Sequence, residues 1–309
     1  MNLFVAITDN AWFGQLRAMA QTASVAEVNF WRPSGVPFRA LAVGEPLLFK
    51  LHAPRHVIAG GGFFSRASKL SVRLAWEAFG PYNGVASEAA LRERIRKYRG
   101  TESDDPITCI ILSEPFFFAP EGCISVPGDF ARNLQTGRGY AAETGTGRWL
   151  YDQVGERLAH AAVMDRGPAQ FALAEARFGA PQPVAPRLGQ GGFRVGMLEN
   201  YRWRCAISGE RTVPVLEAAH IRRYSDGGGH DLRNGLLLRS DLHRLFDLGY
   251  IAIAPEDRRV LVSSRIRTEF ENGRNYYALE GKPLATPSEL GAAPDPESLR
   301  FHLEHVYRG

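Results

Sequence analysis

The sequence predicts an α+β protein with two domains, and three observations lead to this class. Strand-like apolar stretches and amphipathic helices alternate in the first part of the chain, a proline- and glycine-rich stretch then breaks all periodicity, and short strands with helices follow it. A chain of 309 residues also suits two domains better than one small core. We place the first domain at 1–177, the linker "FGAPQPVAPRLGQGG" at 178–192 and the second domain at 193–309.

In the first domain we predict a curled β-sheet or small barrel with flanking helices, because strands outnumber helices. The predicted strands are "LFVAIT" (3–8), "EPLLFKLHA" (45–53), "HVIAGGGFF" (56–64), "KLSVRLAWEAF" (69–79) and "ITCIILSEPFFF" (107–118). The fourth of these alternates apolar and polar residues, which is typical of a half-buried strand with Trp76 in the core. The predicted helices are "SEAALRERIRKYR" (87–99), with a serine cap, and "GRWLYDQVGERLAHAAV" (147–163).

The second domain has a different pattern, with shorter elements and a glycine-rich loop. We predict a helix in "FRVGMLENYRWRC" (193–205), a short strand "PVLEAAHI" (214–221) and the loop "RRYSDGGGHDLRN" (222–234). A helix lies within "GLLLRSDLHRLFDLG" (235–249), and "YIAIAPEDRRVLVS" (250–263) is a hairpin that turns at Pro-Glu-Asp.

Composition limits the class of protein. The chain is 45% hydrophobic and 23% charged, as in a soluble globular protein, without an apolar run long enough for a membrane span or an N-terminal signal peptide. Cys109, Cys123 and Cys205 form no CxxC pair, which argues against a zinc ribbon or a disulfide scaffold and fits the reducing cytoplasm. The net charge of +4 permits an anionic partner without requiring one.

Four polar residues in the second domain carry the strongest chemical signal. His220 ends a predicted strand, Asn234 closes the glycine-rich loop, and His243 and Asp247 stand at i and i+4 on a predicted helix. This spacing puts an imidazole and a carboxylate on one helix face, where they can share a divalent metal. Phosphodiester hydrolysis needs such a metal together with a base that deprotonates water. An amide such as Asn234 is not basic, but it can fix a loop and so orient a neighbouring imidazole.

The segment from Arg194 to Val262 resembles the HNH nuclease family in its ββα-metal form. The resemblance rests on four pieces in the expected order, "RCAISG", "LEAAHIRRYSDGG", "NGLLL" and "DLHRLFD". It implies that His220 is the general base, that Asn234 fixes the loop, and that His243 and Asp247 bind Mg²⁺ or Mn²⁺. The implied reaction is metal-dependent cleavage of DNA to 5′-phosphate and 3′-hydroxyl ends.

Two departures from the family pattern bear on the metals. Many HNH nucleases carry an Asp or His ligand immediately before the base, where this chain has Ala219. Since side chains alternate along a strand, Glu217 would point to the same side and could replace that ligand, directly or through water. Cys205 and Ser208 occupy the positions at which HNH relatives with a structural zinc have CxxC, so we expect no structural zinc.

Arginines are frequent around these residues. Phosphate contacts are the functional interpretation, and the candidates are Arg222, Arg223, Arg239 and Arg244. Aspartates are interleaved with them, so we expect some of the arginines to be ion-paired instead. His230 lies within the glycine-rich loop, and we interpret it as a solvated residue or a phosphate contact rather than a catalytic one.

The first domain is weakly similar to the PUA superfamily, which includes the EVE and SRA-type readers of modified bases. The similarity lies in "FVAITDNAWFGQL", "EVNFWRPSG", "LAVGEPLLFKL" and "HVIAGGGFF". A reader of this kind flips a base out of the duplex and holds it against aromatic faces. The candidates for this pocket are Trp12, Phe13, Asn29, Phe30 and Trp31, although aromatic residues in strands also commonly belong to the core.

Together these features predict a modification-dependent restriction endonuclease of double-stranded DNA that recognises a modified cytosine, such as 5-methyl- or 5-hydroxymethylcytosine. Because one HNH site hydrolyses one strand, we expect a homodimer. Two alternatives stay open at this point. One is an unspecific defence nuclease, and the other is a DNA-binding regulator whose nuclease site has decayed at Ala219.

Overall fold

The structure is a computed structural model that describes residues 1–101, 104–131, 133–164, 188–223, 226–288 and 292–309, with side chains of the fourth helix described as far as residue 159. The chain divides into two compact units, Met1–Leu188 and Gly189–Gly309. Most of the predicted linker, 178–187, lies outside the described residues. In the described part of the chain, every helix is too short or too polar to cross a membrane.

The first unit is built on a mixed sheet. Its strands are β1 (Asn2–Thr8), β2 (Glu27–Arg32), β3 (Pro46–Leu51), β4 (Val57–Leu70), β5 (Ile107–Phe117), β6 (Ile124–Ser125) and β7 (Gly137–Ala141). The order is β2-β5-β4-β3-β1-β7, with β6 beside one end of β4; β1 and β3 are parallel and the other pairs antiparallel. The α+β class is therefore confirmed. Over the residues that the structure describes, the path ends at β2 and β7 without closing, so the sheet is not a closed barrel.

Four helices accompany this sheet: α1 (Asn10–Ala20), α2 (Val72–Phe79), α3 (Glu88–Arg99) and α4 (Gly145–Met164). The predicted helices at 87–99 and 147–163 are confirmed as α3 and α4. Helix α1 begins where Asp9 caps it, because Oδ1 of Asp9 accepts the backbone N–H groups of Ala11 and Trp12 at 2.8 Å each. This cap fixes the chain directly after β1 and orients Trp12.

The predicted strand at 69–79 is wrong, because most of it is helix α2. Ser71 provides the N-cap, with its hydroxyl accepting the N–H of Leu74 at 3.3 Å. The buried residues are Val72, Ala75 and Phe79, which follow the helical period, whereas Trp76 is only half-buried. The sequence of 69–79 fits both the two-residue period of a strand and the 3.6-residue period of a helix, and the N-cap at Ser71 favours the helix.

The second unit combines a short β-ribbon with helices. Its elements are α5 (Gln190–Asn200), β8 (Leu216–His220), β9 (Gly235–Arg239), α6 (Ser240–Asp247), β10 (Ile251–Ile253), β11 (Val260–Val262), α7 (Arg265–Phe270), α8 (Arg274–Tyr277) and α9 (Pro296–His305). The helix predicted in 193–205 ends at Asn200, and Arg202 and Trp203 follow with positive φ. The predicted strand at 214–221, the helix in 235–249 and the hairpin at 250–263 are confirmed.

Candidate functional site

A β-ribbon and the helix that follows it position the candidate catalytic residues. Strands β8 and β9 are antiparallel, with His220 opposite Gly235, and α6 continues directly from β9. A Cβ at Gly235 would lie 2.6 Å from the ring of Phe193 and 2.7 Å from Sδ of Met197. Only glycine therefore allows α5 to approach the ribbon this closely, which brings Phe193 beside His220.

The imidazole of His220 is held on two sides. It stacks on the ring of Phe193, with centroids 4.2 Å apart and planes 10° from parallel. Its Nε2 lies 2.9 Å from Nδ1 of His230, a contact that the sequence did not predict. Burial lowers the pKa of His220 to about 4, with the neighbouring His230 and His243 contributing in the same direction. The imidazole is therefore unprotonated at neutral pH, as a general base must be.

Asn234 fixes both ends of the glycine-rich loop. Its Oδ1 accepts the N–H of Arg222 at 2.9 Å, while its Nδ2 donates to the carbonyl oxygens of Arg222 at 2.9 Å and Gly229 at 3.0 Å. The backbone carbonyl of Asn234 also accepts the N–H of Ile221 at 3.0 Å. The side chain is buried, so each bond is shielded from water. Asn234 thus holds the backbone just after His220, at Ile221 and Arg222, and just before His230, at Gly229.

His243 lies between two carboxylates. Its Nδ1 lies 2.6 Å from Oε2 of Glu217, and its Nε2 lies 3.5 Å from Oδ2 of Asp247 on the next turn of α6. When Nδ1 donates its proton to Glu217, Nε2 of the neutral imidazole carries a lone pair toward Asp247. A lone pair and a carboxylate oxygen facing one another favour a cation between them.

This pair fits a divalent metal that takes few protein ligands. Within the described ranges, no group of three or more His, Cys, Asp or Glu side chains is arranged to hold a metal ion. Mg²⁺ is commonly held by one or two protein ligands, with waters and substrate phosphate oxygens completing its shell. One imidazole nitrogen and one carboxylate oxygen on consecutive turns of a helix meet that requirement.

Ala219 lies fully buried in β8, opposite Leu236. Glu217, two residues earlier in the strand, approaches His243 through Nδ1, while Asp247 lies nearer Nε2. A carboxylate in this position orients a metal-binding imidazole and increases its basicity. Position 219 thus belongs to the buried part of the strand, and the carboxylate of Glu217 is placed to orient His243 if that imidazole binds a metal.

The four candidate DNA-binding arginines differ in their surroundings. Arg239 forms a two-pronged ion pair with Asp241, at 2.6 and 2.8 Å. The guanidinium of Arg222 lies 4.4 Å from the ring centre of Phe301 and also donates to the carbonyl oxygen of Asp226. Arg223 is exposed and donates to the backbone carbonyl of Asp247, and Arg244 is exposed on α6. Arg223 and Arg244 are consequently the two with the most open guanidinium groups.

An aromatic pocket of about 370 Å³ opens in the first unit. Its lining includes Asp9, Trp12, Phe30, Trp31, His52 and Tyr98. The two indoles are anchored from behind, because Nε1 of Trp12 donates to the carbonyl of Asn29 at 3.3 Å and Nε1 of Trp31 to that of Asn83 at 3.0 Å. This volume lies within the range of small-molecule sites.

Asp9 is the acidic group of this pocket. Its Oδ2 accepts the hydroxyl of Tyr98 at 2.6 Å, and its Oδ1 lies 3.3 Å from Arg94. Burial raises the pKa of the Asp9 carboxyl, but the hydrogen bonds from Tyr98 and the backbone, together with Arg94, outweigh it and keep the pKa below the usual value. The pocket therefore holds an ionised carboxylate, paired with Arg94, beside aromatic rings.

Three of the five predicted pocket residues, Trp12, Phe30 and Trp31, do line this pocket. Phe13 packs instead against Phe49 and Phe117 in the core, with ring centroids 6.4 and 5.5 Å away. Asn29 is fully buried, and its Nδ2 donates to Oδ1 of Asn83 at 2.8 Å and to Sγ of Cys109 at 3.2 Å. Asn29 stabilises the wall behind Trp12 and does not face the pocket.

Comparison with known proteins gives a family match within the second unit. Residues 205–254 match the family model described as HNH endonuclease. They include β8, the glycine-rich loop, β9 and α6, and thus all four candidate catalytic residues. The chain therefore carries an HNH endonuclease domain, and the protein is a nuclease, an enzyme whose expected substrate is DNA. No curated protein matches the chain.

Three solved structures are distantly similar to the chain. Two are of mutant forms of the ZmASCH protein from Zymomonas mobilis, at 14% and 13% identity; each covers 37% of this chain and 75% or 73% of its own, with a TM-score of 0.26. A third, described as "Modification dependent TagI restriction endonuclease", is 12% identical and covers 93% of this chain and 77% of its own, with a TM-score of 0.28.

Proposed function

We propose that the protein is a modification-dependent endonuclease that recognises a modified cytosine in double-stranded DNA and hydrolyses phosphodiester bonds at its HNH site. The observation that carries the proposal is the arrangement of His220, Asn234, His243 and Asp247 within a matched HNH segment. The first unit contributes the recognition pocket.

In the proposed reaction, His220 removes a proton from the attacking water, because its imidazole is unprotonated at neutral pH and its orientation is fixed. Asn234 keeps the loop closed around it. His243 and Asp247 hold Mg²⁺ or Mn²⁺, with Glu217 orienting His243. When bound, the metal neutralises charge on the scissile phosphate and the leaving oxygen. Arg223 and Arg244 are the phosphate contacts that we favour among the four arginines.

The pocket of the first unit supports recognition of a base. The half-buried Phe30 offers apolar surface against which a flipped base can pack, and the buried indole of Trp12 supports it edge-on at 5.4 Å between ring centroids. The Asp9 carboxylate is a hydrogen-bond acceptor, and the exocyclic amino group of cytosine is a donor. A methyl or hydroxymethyl group on C5 would add apolar contact with the aromatic walls. The pocket chemistry therefore favours cytosine over thymine, which has no exocyclic amino group.

The test is cleavage of otherwise identical plasmids that carry unmodified, 5-methyl-, 5-hydroxymethyl- or glucosylated cytosine, in the presence of Mg²⁺ or Mn²⁺. We expect the protein to cut modified DNA in preference to unmodified DNA, and Phe30→Ala to remove the preference. Trp149→Ala is a matched control, since Trp149 is an exposed aromatic residue of the same unit outside the pocket. Equal cutting of all four plasmids would reject recognition of the modification and leave the nuclease in place.

We further propose that two copies of the chain act together, because one HNH site cuts one strand at a time. Sedimentation of the protein with a modified duplex tests this step. A complex with two chains per duplex is the expected result. A complex with one chain that nicks but does not break the duplex would reject it.

A further inference from the structure

His220 and His230 of the HNH domain share a hydrogen bond between their rings, and either ring can be the donor. Nε2 of His220 and Nδ1 of His230 lie 2.9 Å apart, and the ring centroids are 4.9 Å apart. Two lone pairs at this distance would repel, so one nitrogen carries a proton and donates it to the other.

The direction of this hydrogen bond decides whether His220 can act as a base. If His230 donates, the proton of neutral His220 sits on Nδ1, and neither of its nitrogens has an available lone pair. If His220 donates from Nε2, its Nδ1 keeps a lone pair that can accept a proton from water. Only the second arrangement is competent for hydrolysis.

We propose that His230 is a positioning residue of the HNH site, whose Nδ1 accepts the Nε2 proton of His220 and so holds Nδ1 of His220 as the basic atom. This inference rests on the proposed role of His220 in cleavage. As an O–H bond of water breaks, its proton forms a bond to Nδ1 of His220 and the hydroxide oxygen forms a bond to phosphorus. The bond between phosphorus and the 3′ oxygen breaks, and that oxygen takes up a proton from solvent water to become the 3′-hydroxyl. The resulting imidazolium is stabilised because its Nε2 proton is shared with the neutral ring of His230.

Contacts of the neighbouring backbone and of Phe193 restrain the position of the His230 ring. Asn234 binds the carbonyl of Gly229, directly before His230. A Cβ at Gly228 would lie 1.9 Å from the carbonyl oxygen of Arg222, so the two sides of the loop touch there. The ring of His230 also lies 5.7 Å from that of Phe193, which stacks on His220. These contacts fix His230 more firmly than a solvated loop residue or a phosphate contact would require.

The first test is spectroscopic. Long-range ¹H–¹⁵N correlation of the full chain, labelled on histidine, reports which ring nitrogen of each imidazole is protonated, and the His220→Asn and His230→Ala variants assign the signals. We expect His220 to carry its proton on Nε2 in the native protein and to show both tautomers in His230→Ala. Protonation of His220 on Nδ1 in the native protein would overturn the proposal.

The second test is kinetic and uses a conservative replacement. We expect His230→Ala to lower kcat for plasmid cleavage roughly 10-fold to 100-fold with little change in KM. His230→Asn should restore most of it, because the amide oxygen can accept in place of Nδ1. His305→Ala is the matched control, since His305 is an exposed histidine of the same unit. A loss confined to KM would identify a substrate contact instead, and a failure of His230→Asn to restore kcat would also overturn the proposal.

Failure of this inference is distinguishable from failure of the proposed function. If His220→Ala cleaves at the native rate, His220 is not the general base, and both the proposed reaction and the role of His230 are rejected. If His220→Ala is inactive while His230→Ala cleaves normally and leaves His220 in one tautomer, only the role of His230 falls.

Discussion

Oε2 of Glu217 lies 2.6 Å from Nδ1 of His243, while Nε2 of the same imidazole lies 3.5 Å from Oδ2 of Asp247. This relationship links β8, which carries the proposed general base, to α6, which carries the two proposed metal ligands. In the proposed site, the carboxylate of Glu217 orients His243 as a metal ligand although position 219 is alanine.

Removing Glu217 should weaken metal binding without abolishing it. We expect Glu217→Ala to lower Mn²⁺ affinity roughly 10-fold to 100-fold, and Glu217→Gln to lower it less, because the amide oxygen can still accept from Nδ1. Calorimetric titration of the full chain with Mn²⁺ measures this. Glu256→Ala, at an exposed position of the same unit, is the control. Glu217→Gln that loses binding as completely as His243→Ala would mean that Glu217 is itself a ligand.

Asn234→Asp should destabilise the HNH domain although the two side chains have nearly the same shape. The carboxylate cannot donate to the carbonyl oxygens of Arg222 and Gly229, and it would face both of them. We expect a loss of about 1–3 kcal/mol in the free energy of local opening, measured by hydrogen exchange of peptides from the glycine-rich loop. Asn272→Asp, at an exposed position, provides the comparison. Equal protection in native protein and Asn234→Asp would contradict this role.

His302 makes stability sensitive to pH. It stacks on Phe246 with centroids 3.7 Å apart, its Nε2 donates to the carbonyl of Phe246 at 3.0 Å, and burial lowers its pKa to about 4. The unfolded chain takes up this proton near pH 6.5 and the folded chain only near pH 4. The contribution of His302 to the free energy of unfolding is therefore fully present above pH 6.5 and decreases as the pH falls toward 4.

We expect His302→Gln, which keeps a donor but does not titrate, to reduce the loss of stability between pH 7 and pH 5 by up to about 2 kcal/mol. Hydrogen exchange of peptides from α9 at the two pH values measures the effect. His305→Gln should show the native pH dependence, since His305 is exposed. An unchanged pH dependence in His302→Gln would show that His302 does not contribute to it.

The sequence predicted most of the HNH domain because its residues are close in the chain and its elements follow clear periods. His220, Asn234, His243 and Asp247 occur on the elements expected for them. The contact between His220 and His230 was missed because it depends on how the glycine-rich loop closes, and loop closure is set by the bonds of Asn234 to backbone atoms. Asn234 at the end of the glycine-rich loop is the sequence feature that could have indicated a folded-back loop, with His230 near His220.

The first unit was predicted less completely. The pattern of apolar residues in 69–79 fits a strand and a helix equally well, and Ser71 in the N-cap position is the feature that favours the helix. The sequence predicts the pocket as a group of neighbouring residues, but the side chain of Asn29 is fully buried and bonded to Asn83 and Cys109, while Phe30 and Trp31 line the pocket. Asp9 and Tyr98 lie far apart in the chain, and only the fold brings them together at the pocket.

The most direct test of the central claim is the rate of plasmid cleavage by the native protein and by His220→Ala, with Mg²⁺ or Mn²⁺ and modified DNA as substrate. We expect the native protein and His305→Ala to cut at similar rates, and His220→Ala to be slower by about 10²-fold to 10⁴-fold, as expected for loss of a general base. Cleavage by His220→Ala at the native rate would contradict the assignment of the base, and with it the account of the site.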